Sequence, residues 1–215
     1  CKQVLQRVVV NLNSVIKKFM IAIKRILGED ITIDQEFGNG LWGVNVDPAQ
    51  IENIISNLIT NARHAMPKGG ILSIKTENVR LDTKSLPSSP DAYLGGFVMI
   101  SVTDTGSGIP EDILPKIFEP FFTTKPVGEG TGLGLSMIYG SVRQQNGFID
   151  VKTTIGCGTT FYLYFPAVAS EGKPAPAAAT VDASLGRPAA TAASAPAYVI
   201  KPEQRAFWSF QPIRV

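Results

Sequence analysis

The amino-acid sequence predicts an α+β fold, a two-layer α/β sandwich whose mixed sheet is covered on one face by helices. Some segments carry apolar residues at helical spacing, and others alternate apolar and polar residues as half-buried strands do. These segments do not follow one another in strict strand–helix alternation, which argues against a wholly parallel sheet. With 44% apolar residues among 215, the chain can build one core of ordinary size beside a tail.

The first helix and the first two strands lie at the start of this domain. Asn13 can cap the helix, whose apolar positions recur until Gly28 ends it. Residues 31–37 alternate as a half-buried strand, a turn follows at 38–40, and residues 41–46 form a second strand. We therefore expect one helix and two short strands before the next helix begins.

The second helix has the clearest start in the chain. Asp47 suits the N-cap, Pro48 the first helical position and Gln50 the third, and the helix runs to about Met66. Its apolar residues face one way: Ile51, Ile54, Ile55, Leu58, Ala62 and Ala65. A second stripe at helical spacing is polar and points away from the core: Asn53, Asn57, Asn61 and His64. This helix therefore presents a polar face as well as a buried one.

The remaining elements complete the sheet and its helical layer. They are strands over 71–79 and 97–104, a short helix over 110–117, a longer helix over 132–145, and a hairpin over 148–153 and 159–165. A loop rich in Pro and Ser joins the first two strands, and Asn146-Gly147 is a good helix stop. Loop and turn residues therefore agree with the predicted order of elements.

Composition divides the chain into four parts. Residues 1–10 read as a connector from a region before the domain, and residues 11–166 hold the predicted helices and strands. Residues 167–197 are dominated by Ala, Pro, Ser and Thr, which is the composition of a flexible linker. Residues 198–215 regain aromatic residues but are too short to fold alone, and their role stays open.

Bulk properties exclude several classes of protein. A net charge of +2 gives no electrostatic reason to expect nucleic acid or an acidic membrane as a partner. Apolar runs are too short to cross a bilayer, and the two cysteines, Cys1 and Cys157, form no metal or redox motif. Because the chain begins at Cys1 rather than Met, we expect a piece of a longer protein, whose membrane anchor or sensor would lie outside it. The sparse cysteines fit a reducing compartment, and we expect this piece to be cytoplasmic.

Two glycine-rich motifs, residues 104–109 and 130–135, bracket the segment with the clearest chemistry. In the first, Gly106 and Gly108 let the backbone pass close to a ligand ring. The carboxylate of Asp104 ends a strand and can accept a hydrogen bond from an exocyclic amino group such as that of adenine. The alternative is that Asp104 only caps a turn.

The second motif, Gly130-Thr131-Gly132-Leu133-Gly134, leads into a predicted helix N-terminus. Unpaired N–H groups and the helix dipole favour an anion there, and Lys125 and Thr131 can add contacts to the β- and γ-phosphates of a nucleotide. The segment fits neither a Walker A loop nor a Rossmann fingerprint. We therefore expect a nucleotide pocket with a lid on another fold.

The polar stripe of the second helix offers oxygen ligands to the same nucleotide. Asn57 and Asn61 lie one helical turn apart. Mg²⁺ prefers hard oxygen ligands and is usually shared with substrate phosphates, so an Asn beside a triphosphate fits this role. The alternative for such residues is structural, because a buried Asn can also cap neighbouring backbone groups.

These motifs, in this order, resemble the N, G1, F and G2 boxes of sensor histidine kinases. The matching residues are Asn57 and Asn61, Asp104-Thr105-Gly106-Ser107-Gly108, Phe118-Glu119-Pro120-Phe121, and Gly130-Thr131-Gly132-Leu133-Gly134-Leu135. The resemblance covers roughly residues 8–166. It implies the Bergerat-type ATP-binding fold shared with gyrase, Hsp90 and MutL, with ATP and Mg²⁺ as ligands and protein-histidine kinase activity.

The same resemblance implies a role for each matching residue. Asn61 would hold Mg²⁺, Asn57 would support the phosphates, and Asp104 would bind the adenine amino group. Residues 111–130 would form the ATP lid, with Lys125 acting alongside the two asparagines in catalysis. The residues assigned to nucleotide binding are Asn57, Asn61, His64, Asp104, Gly106, Gly108, Ile109, Lys125, Gly130, Thr131, Gly132, Leu133, Gly134, Leu135 and Thr159.

Two departures from the family pattern bear on the reaction. Relatives that hydrolyse ATP carry a glutamate base about one turn before the Mg²⁺-binding Asn. Here that position is Asn57, which cannot take a proton from water, so transfer of phosphate to an acceptor is favoured over hydrolysis. His64, the single histidine, has no acceptor motif after it and is expected beside the phosphates or at the surface. The acceptor histidine would then lie before Cys1.

The resemblance also implies partners. These are the missing dimerisation and histidine-phosphotransfer domain of the same parent protein and, indirectly, a response regulator or receiver domain. Neither nucleic acid nor direct membrane contact is expected of this piece. Two alternatives stay open: an ATPase of the gyrase, Hsp90 and MutL type, and a non-catalytic module that senses nucleotide and regulates a partner.

Overall fold

A computed structural model describes residues 6–87, 89–126 and 130–168 of the chain. The helices and strands, in chain order, are β1 (Val8–Val10), α1 (Leu12–Leu27), β2 (Ile31–Phe37), β3 (Val44–Val46), α2 (Pro48–Ala65), β4 (Gly70–Leu81), β5 (Gly95–Asp104), a short 3₁₀ helix (Leu114–Lys116), α3 (Gly134–Gln144), β6 (Phe148–Thr154) and β7 (Gly158–Pro166). The prediction of an α+β fold with a mixed sheet is confirmed.

The main sheet has five strands in the order β2-β4-β5-β7-β6. Strands β2 and β4 run parallel, whereas each other neighbouring pair is antiparallel. Helix α2 packs against α1 on one side and α3 on the other, and also contacts β5. The main core lies between this helical layer and the sheet, as the sandwich prediction requires.

A smaller apolar cluster covers part of the opposite face of the sheet. Phe97, Phe148 and Tyr164 form its centre, together with Leu81 and Met99. Their rings meet edge-to-face or stacked, with centroids 5.3 Å apart for Phe97–Phe148 and 4.5 Å apart for Phe148–Tyr164. Aromatic pairs at such distances add to the stabilisation that burial provides. The sheet is therefore apolar on both faces at this end.

The N-cap of helix α1 lies two residues earlier than predicted. Asn11, not Asn13, is the N-cap, because its backbone is extended and its side chain accepts a hydrogen bond from the Asn13 N–H at 2.9 Å. Asn13 instead donates to the carbonyl of Gly38 and accepts from the Thr76 hydroxyl, so it joins α1 to β4. The predicted stop at Gly28 is confirmed, with a φ of +81° that favours glycine.

Helix α2 begins and ends close to its predicted limits. Asp47 caps it by accepting from the Ala49 N–H at 3.0 Å, and Pro48 occupies the first helical turn. Gln50 does not reach back to the cap, because its side chain accepts a hydrogen bond from the Ser141 hydroxyl of α3. All predicted apolar positions except Ala65 are buried. Burial of this face fixes the direction in which the asparagine stripe points.

A two-stranded ribbon forms beside the main sheet. Strand β3 is shorter than the predicted 41–46, and it pairs antiparallel with β1, within the segment predicted to be a connector. On its other side Ala167 bridges to Val44, and the Val168 N–H donates to the Gly43 carbonyl. The predicted linker beyond Val168 and the tail at 198–215 lie outside the described residues, so both stay predictions.

Two other boundaries differ from the sequence expectation. The short helix predicted over 110–117 is a 3₁₀ turn at Leu114–Lys116 within a run of turns. Helix α3 begins at Gly134 rather than Gly132, because Gly132 has a φ of +64° and cannot be helical. Asn146, with a φ of +59°, follows the end of α3 as expected.

Two isoleucines on neighbouring helices provide a test of this core. Replacing Ile55 of α2, which is fully buried, by Ala removes apolar contacts and leaves a cavity. We expect Ile55→Ala to lower the free energy of unfolding by about 2–5 kcal/mol in urea titrations. Ile21→Ala is the matched control, because Ile21 is 75% exposed, and a change within about 0.5 kcal/mol is expected. Equal losses for both variants would contradict the assignment of the core.

Candidate functional site

A cavity of about 360 Å³ lies between α2, the segment that follows β5, and the start of α3. Of the residues predicted to bind nucleotide, ten line this cavity: Asn57, Asn61, His64, Ile109, Lys125, Gly130, Thr131, Gly132, Gly134 and Leu135. Five others do not line it: Asp104, Gly106, Gly108, Leu133 and Thr159. The fold thus gathers most of the predicted site from segments far apart in the chain.

One wall of the cavity is the polar face of α2. Asn57 and Asn61 are half-buried there, one turn apart, because their neighbours at Leu58 and Ala62 point into the core. Gly134 faces both amides, since a Cβ placed on it would stand 4.0 Å from Asn57 Oδ1 and 4.0 Å from Asn61 Nδ2. Helix α2 and the first residue of α3 therefore lie next to each other in the lining of the cavity.

The ends of the polar stripe behave differently from its centre. His64, in the last turn of α2, is exposed at the rim of the cavity. Asn53, at the other end of the stripe, is exposed and does not line the cavity. Thr60 does line it, although its hydroxyl donates to the Ser56 carbonyl. Sequence reasoning missed Thr60, but its spacing of three residues from Asn57 places it on the same face.

The second glycine motif is packed closely against residues 121–125. Gly132 has a φ of +64°, and a Cβ on it would stand 2.6 Å from the Phe121 Cα. Gly130 lies against Thr123 and Lys125, with a Cβ position 3.1 Å from Lys125 Cδ. The Leu133 N–H donates to the Thr131 hydroxyl at 3.3 Å. These contacts hold the Lys125 segment next to the glycine loop.

The start of α3 has the properties of an anion site. No side chain caps it, and no acidic residue lies in its first turn. Uncapped N–H groups and the positive end of the helix dipole attract negative charge. Gly134 and Leu135, the first two residues of the helix, both line the cavity. The cavity therefore combines amide groups on one wall with a positive helix end on another.

Asp104 lies at the end of β5, outside the lining of the cavity. Its side chain is buried and accepts the Gly106 N–H at 2.8 Å. Burial raises the pKa of this carboxyl, while the N–H groups of Gly106 and Thr159 act in the opposite direction. Gly106 also lies against α2, with a Cβ position 2.6 Å from the Ala65 carbonyl oxygen. The Asp104 end of the site is therefore fixed to the last turn of α2.

A hydroxyl that the sequence did not single out links Asp104 to the cavity. Thr153 of β6 accepts the Ile109 N–H at 2.8 Å, and its oxygen lies 3.0 Å from the Thr159 hydroxyl. Thr159 pairs with Asp104 across β7 and β5, and Ile109 lines the cavity. Thr153 therefore connects the carboxylate region to the cavity wall, and only the three-dimensional pairing of β6 with β7 reveals it.

Comparison with known proteins agrees with this geometry. A family model described as histidine kinase-, DNA gyrase B- and HSP90-like ATPase matches residues 46–169. The sensor kinase CckA of Brucella abortus is 42% identical over 172 residues, which is 80% of this chain and 18% of that protein. The sensor histidine kinase ZraS of Salmonella typhimurium is 31% identical over 163 residues, or 75% of this chain and 32% of that protein.

Solved structures give the same answer. The catalytic domain of the histidine kinase ThkA is 29% identical, with a TM-score of 0.57 over 75% of this chain and 96% of that chain. The mycobacterial sensor histidine kinase MprB, at 24% identity and a TM-score of 0.58, shares the fold over 76% of this chain and 98% of that chain.

The chain belongs to the family of histidine kinase-, DNA gyrase B- and HSP90-like ATPases. Within that family it is an ATP-binding catalytic domain of the sensor histidine kinase type. Because the relatives are sensor kinases, the comparisons favour this assignment over a gyrase-, Hsp90- or MutL-type ATPase and over a non-catalytic nucleotide-sensing module. The chain spans less than a third of the length of the curated relatives CckA and ZraS, at 18% and 32%. Within the stretches that the structure describes, no helix is long and apolar enough to cross a membrane.

Two glycines near and within α3 test the contact between lid and glycine loop. Gly132→Ala places a Cβ against Phe121 at a positive φ, so we expect a loss of more than about 1 kcal/mol in the free energy of unfolding. Gly140→Ala is the control inside α3, where a Cβ would meet nothing within 4 Å. It should raise stability by about 0.5–1 kcal/mol. A stabilising Gly132→Ala would contradict the described loop.

The raised pKa of Asp104 leads to a pH prediction. The folded chain holds this proton more tightly than the unfolded chain, so the contribution of Asp104 to stability falls as pH rises from about 4, the unfolded value, to the raised folded value. Asp104→Asn retains an acceptor for the Gly106 N–H and removes this dependence. Urea unfolding measured from about pH 4 to pH 7 would show a flatter profile for the variant.

Asp82 is the contrasting control for that measurement. Hydrogen bonds from Ser85 lower the pKa of this exposed carboxyl, so its contribution to stability is lost as pH falls through the folded value. Because this carboxyl titrates below about pH 4, the urea series is extended below that pH, where Asp82→Asn should remove a dependence of the opposite sign. If both variants changed the pH profile in the same direction, the burial of Asp104 would not be the cause.

Proposed function

We propose that this domain binds ATP with Mg²⁺ in the cavity and transfers the γ-phosphate to a histidine on a separate phosphoacceptor domain. One observation carries the proposal: no described residue that lines the cavity is Asp or Glu. Water needs a base to attack a phosphate efficiently, and the amides of Asn57 and Asn61 cannot supply one. The His64 imidazole could accept a proton, but it is exposed at the rim of the cavity. A pocket built for ATP but without a carboxylate base suits transfer to an acceptor that brings its own nucleophile.

The amide-lined wall fits Mg²⁺ that is shared with nucleotide. Among the described residues, no group of three His, Cys, Asp or Glu could hold a metal alone. The amide oxygens of Asn57 and Asn61 are hard ligands, and Mg²⁺ commonly completes its shell with phosphate oxygens and water. In this proposal Asn61 holds the ion and Asn57 supports the phosphates. The ion would supply neutralisation of charge on the transferred group.

The wall formed by the start of α3 and the preceding glycine loop is proposed to hold the phosphates. The uncapped start of α3, with Gly132 before it and Gly134 as its first residue, lets backbone N–H groups approach an anion closely. Lys125 and Thr131 add a charge and a hydroxyl at the same wall, and His64 adds an exposed imidazole at the rim. Phosphoryl transfer depends mainly on such positioning and charge stabilisation. Lys125, Asn57 and Asn61 are therefore the proposed catalytic set.

The adenine base is proposed to lie at the Asp104 end. Gly106, Gly108 and Ile109 would form the surface beside the ring, and Thr159 would lie next to Asp104. The hydroxyl chain through Thr153 supports this placement, because it joins Ile109 at the cavity to Thr159. The carboxylate oxygens of Asp104 can accept a hydrogen bond from an exocyclic amino group.

The wider assignments follow from this reaction. We propose residues 11–166 as the catalytic domain, residues 1–10 as its connector to the dimerisation and phosphoacceptor domain, and residues 167–197 as a flexible linker. A response regulator or receiver domain would take the phosphate from that histidine. The reaction needs cellular ATP, which suggests the cytoplasm as its location. Neither nucleic acid nor a membrane surface is proposed as a partner.

Two asparagines on the same face of α2 test the site. Asn61→Ala removes the proposed Mg²⁺ ligand, whereas Asn53→Ala makes the same change at a residue outside the cavity. Isothermal titration of ATP with and without Mg²⁺ should show binding by the unaltered chain. We expect Asn61→Ala to weaken the binding in Mg²⁺ by at least about tenfold and Asn53→Ala to leave it unchanged. Failure of the unaltered chain to bind millimolar ATP would sink the proposal.

A transfer assay distinguishes the proposed reaction from the alternatives. The chain is incubated with ATP labelled on the γ-phosphate, with and without a purified phosphoacceptor domain from a related kinase. The proposal expects acid-labile label on the acceptor and little free phosphate without it. Steady release of phosphate by the chain alone would favour an ATPase, and binding with neither outcome would favour a nucleotide-sensing module.

A further inference from the structure

The loop between β4 and β5 reaches across to α3, at a distance from the cavity. The Tyr93 hydroxyl donates to the Asn146 carbonyl at 2.8 Å, just beyond the end of the helix. Its ring lies edge-on to Phe97 and Phe148, with centroids 4.9 Å and 6.0 Å away. The loop is thus anchored on the smaller apolar cluster and at the last turn of α3.

Asp91 is the residue of this loop that contacts α3 itself. Its Oδ2 accepts the Tyr139 hydroxyl at 2.6 Å, and its Oδ1 lies 3.1 Å from a guanidinium nitrogen of Arg143. Tyr139 and Arg143 are one turn apart on α3. The Asp91 side chain is only 11% exposed, whereas that of Arg143 is 46% exposed. The hydrogen bond to Tyr139 is therefore the better shielded of the two contacts.

Tyr139 links Asp91 to residues 113–118, which lie beside the cavity. Its ring lies on Phe118, with centroids 5.4 Å apart, and both side chains are buried. Phe118 directly follows Ile117, which lines the cavity together with Ile113. Helix α3 begins at Gly134, which also lines the cavity. The Asp91 carboxylate thus contacts both the helix whose first residue lines the cavity and the phenol against which Phe118 packs.

We propose that Asp91 is a positioning residue for the nucleotide site. By holding the Tyr139 hydroxyl it fixes the ring on which Phe118 rests, and so keeps the Ile113–Phe118 segment in its place beside the cavity. A hydrogen bond to a carboxylate is stronger than one between neutral groups. Loss of Asp91 therefore removes a strong contact that restrains the Tyr139 side chain. This inference rests on the proposed function, because it assigns Asp91 a role in binding ATP.

Four variants separate positioning from simple support of the loop. Asp91→Ala removes both contacts, Asp91→Asn keeps an acceptor for the phenol, and Tyr139→Phe removes the hydroxyl but keeps the ring. Asp82→Ala is the control on the same loop, because among the described residues the Asp82 side chain is hydrogen-bonded to Lys84 and Ser85 of the loop itself and not to α3. Three quantities are measured on each: ATP affinity, urea unfolding, and hydrogen exchange of the amides at 113–118 without nucleotide.

A specific pattern is expected. Asp91→Ala and Tyr139→Phe should each weaken ATP binding about tenfold, a factor typical of coupling between sites. Each should also speed hydrogen exchange of the amides at 113–118. Their double variant should be no worse than the more affected single one, since both break one interaction. Asp91→Asn should restore most of the affinity, and Asp82→Ala should match the unaltered chain in affinity and exchange.

Other outcomes overturn the inference. If Asp91→Ala lowers stability but leaves both ATP affinity and exchange at 113–118 unchanged, Asp91 only supports its loop. Additive losses in the double variant would also contradict a shared route through Tyr139. If the unaltered chain bound no ATP, the proposed function would fail. Exchange at 113–118 would still decide whether Asp91 holds this segment, so the two failures can be told apart.

Discussion

Helix α2 buries one face between α1, α3 and the sheet, and this burial sets the geometry of the site. Ile51, Ile54, Ile55 and Leu58 are each at most 1% exposed, so the helix cannot rotate without exposing them. Removing four such side chains from water contributes several kcal/mol that rotation would forfeit. The asparagines on the other face are therefore held toward the cavity by contacts that involve no polar chemistry. Packing energy is what orients the polar wall.

The opposite side of the site depends on how closely backbones approach one another. Gly106 lies against the Ala65 carbonyl at the end of α2, and Gly132 lies against the backbone of Phe121 in the lid. At both points a Cβ would overlap main-chain atoms, which cannot move aside as a side chain can. The glycines are needed for these contacts between backbone segments of the chain whether or not a ligand is present. Their presence alone therefore does not indicate a nucleotide pocket, and of the two only Gly132 is among the described residues that line the cavity.

The sequence predicted the helices and strands well where one local signal dominates. Asp47 and Pro48 start α2, and the first half of β4 alternates between buried and half-buried residues. It failed where two local signals compete, as at Asn11 and Asn13, and where pairing is non-local. Nothing in residues 41–46 shows that β3 pairs with β1 and not with β2, because strand partners are chosen by the tertiary fold.

The site shows the same division between local and distant information. Motif spacing located Asn57, Asn61 and the Gly130–Gly134 loop, since each carries its chemistry in consecutive or helically spaced residues. Thr153 and Asp91 carry no motif, and each makes a key contact with a residue dozens of positions away in the chain. Such residues are fixed by the sheet register and by the path of a long loop. The residues proposed to bind are thus more visible in a sequence than the residues proposed to hold them in position, and only the structure relates one to the other.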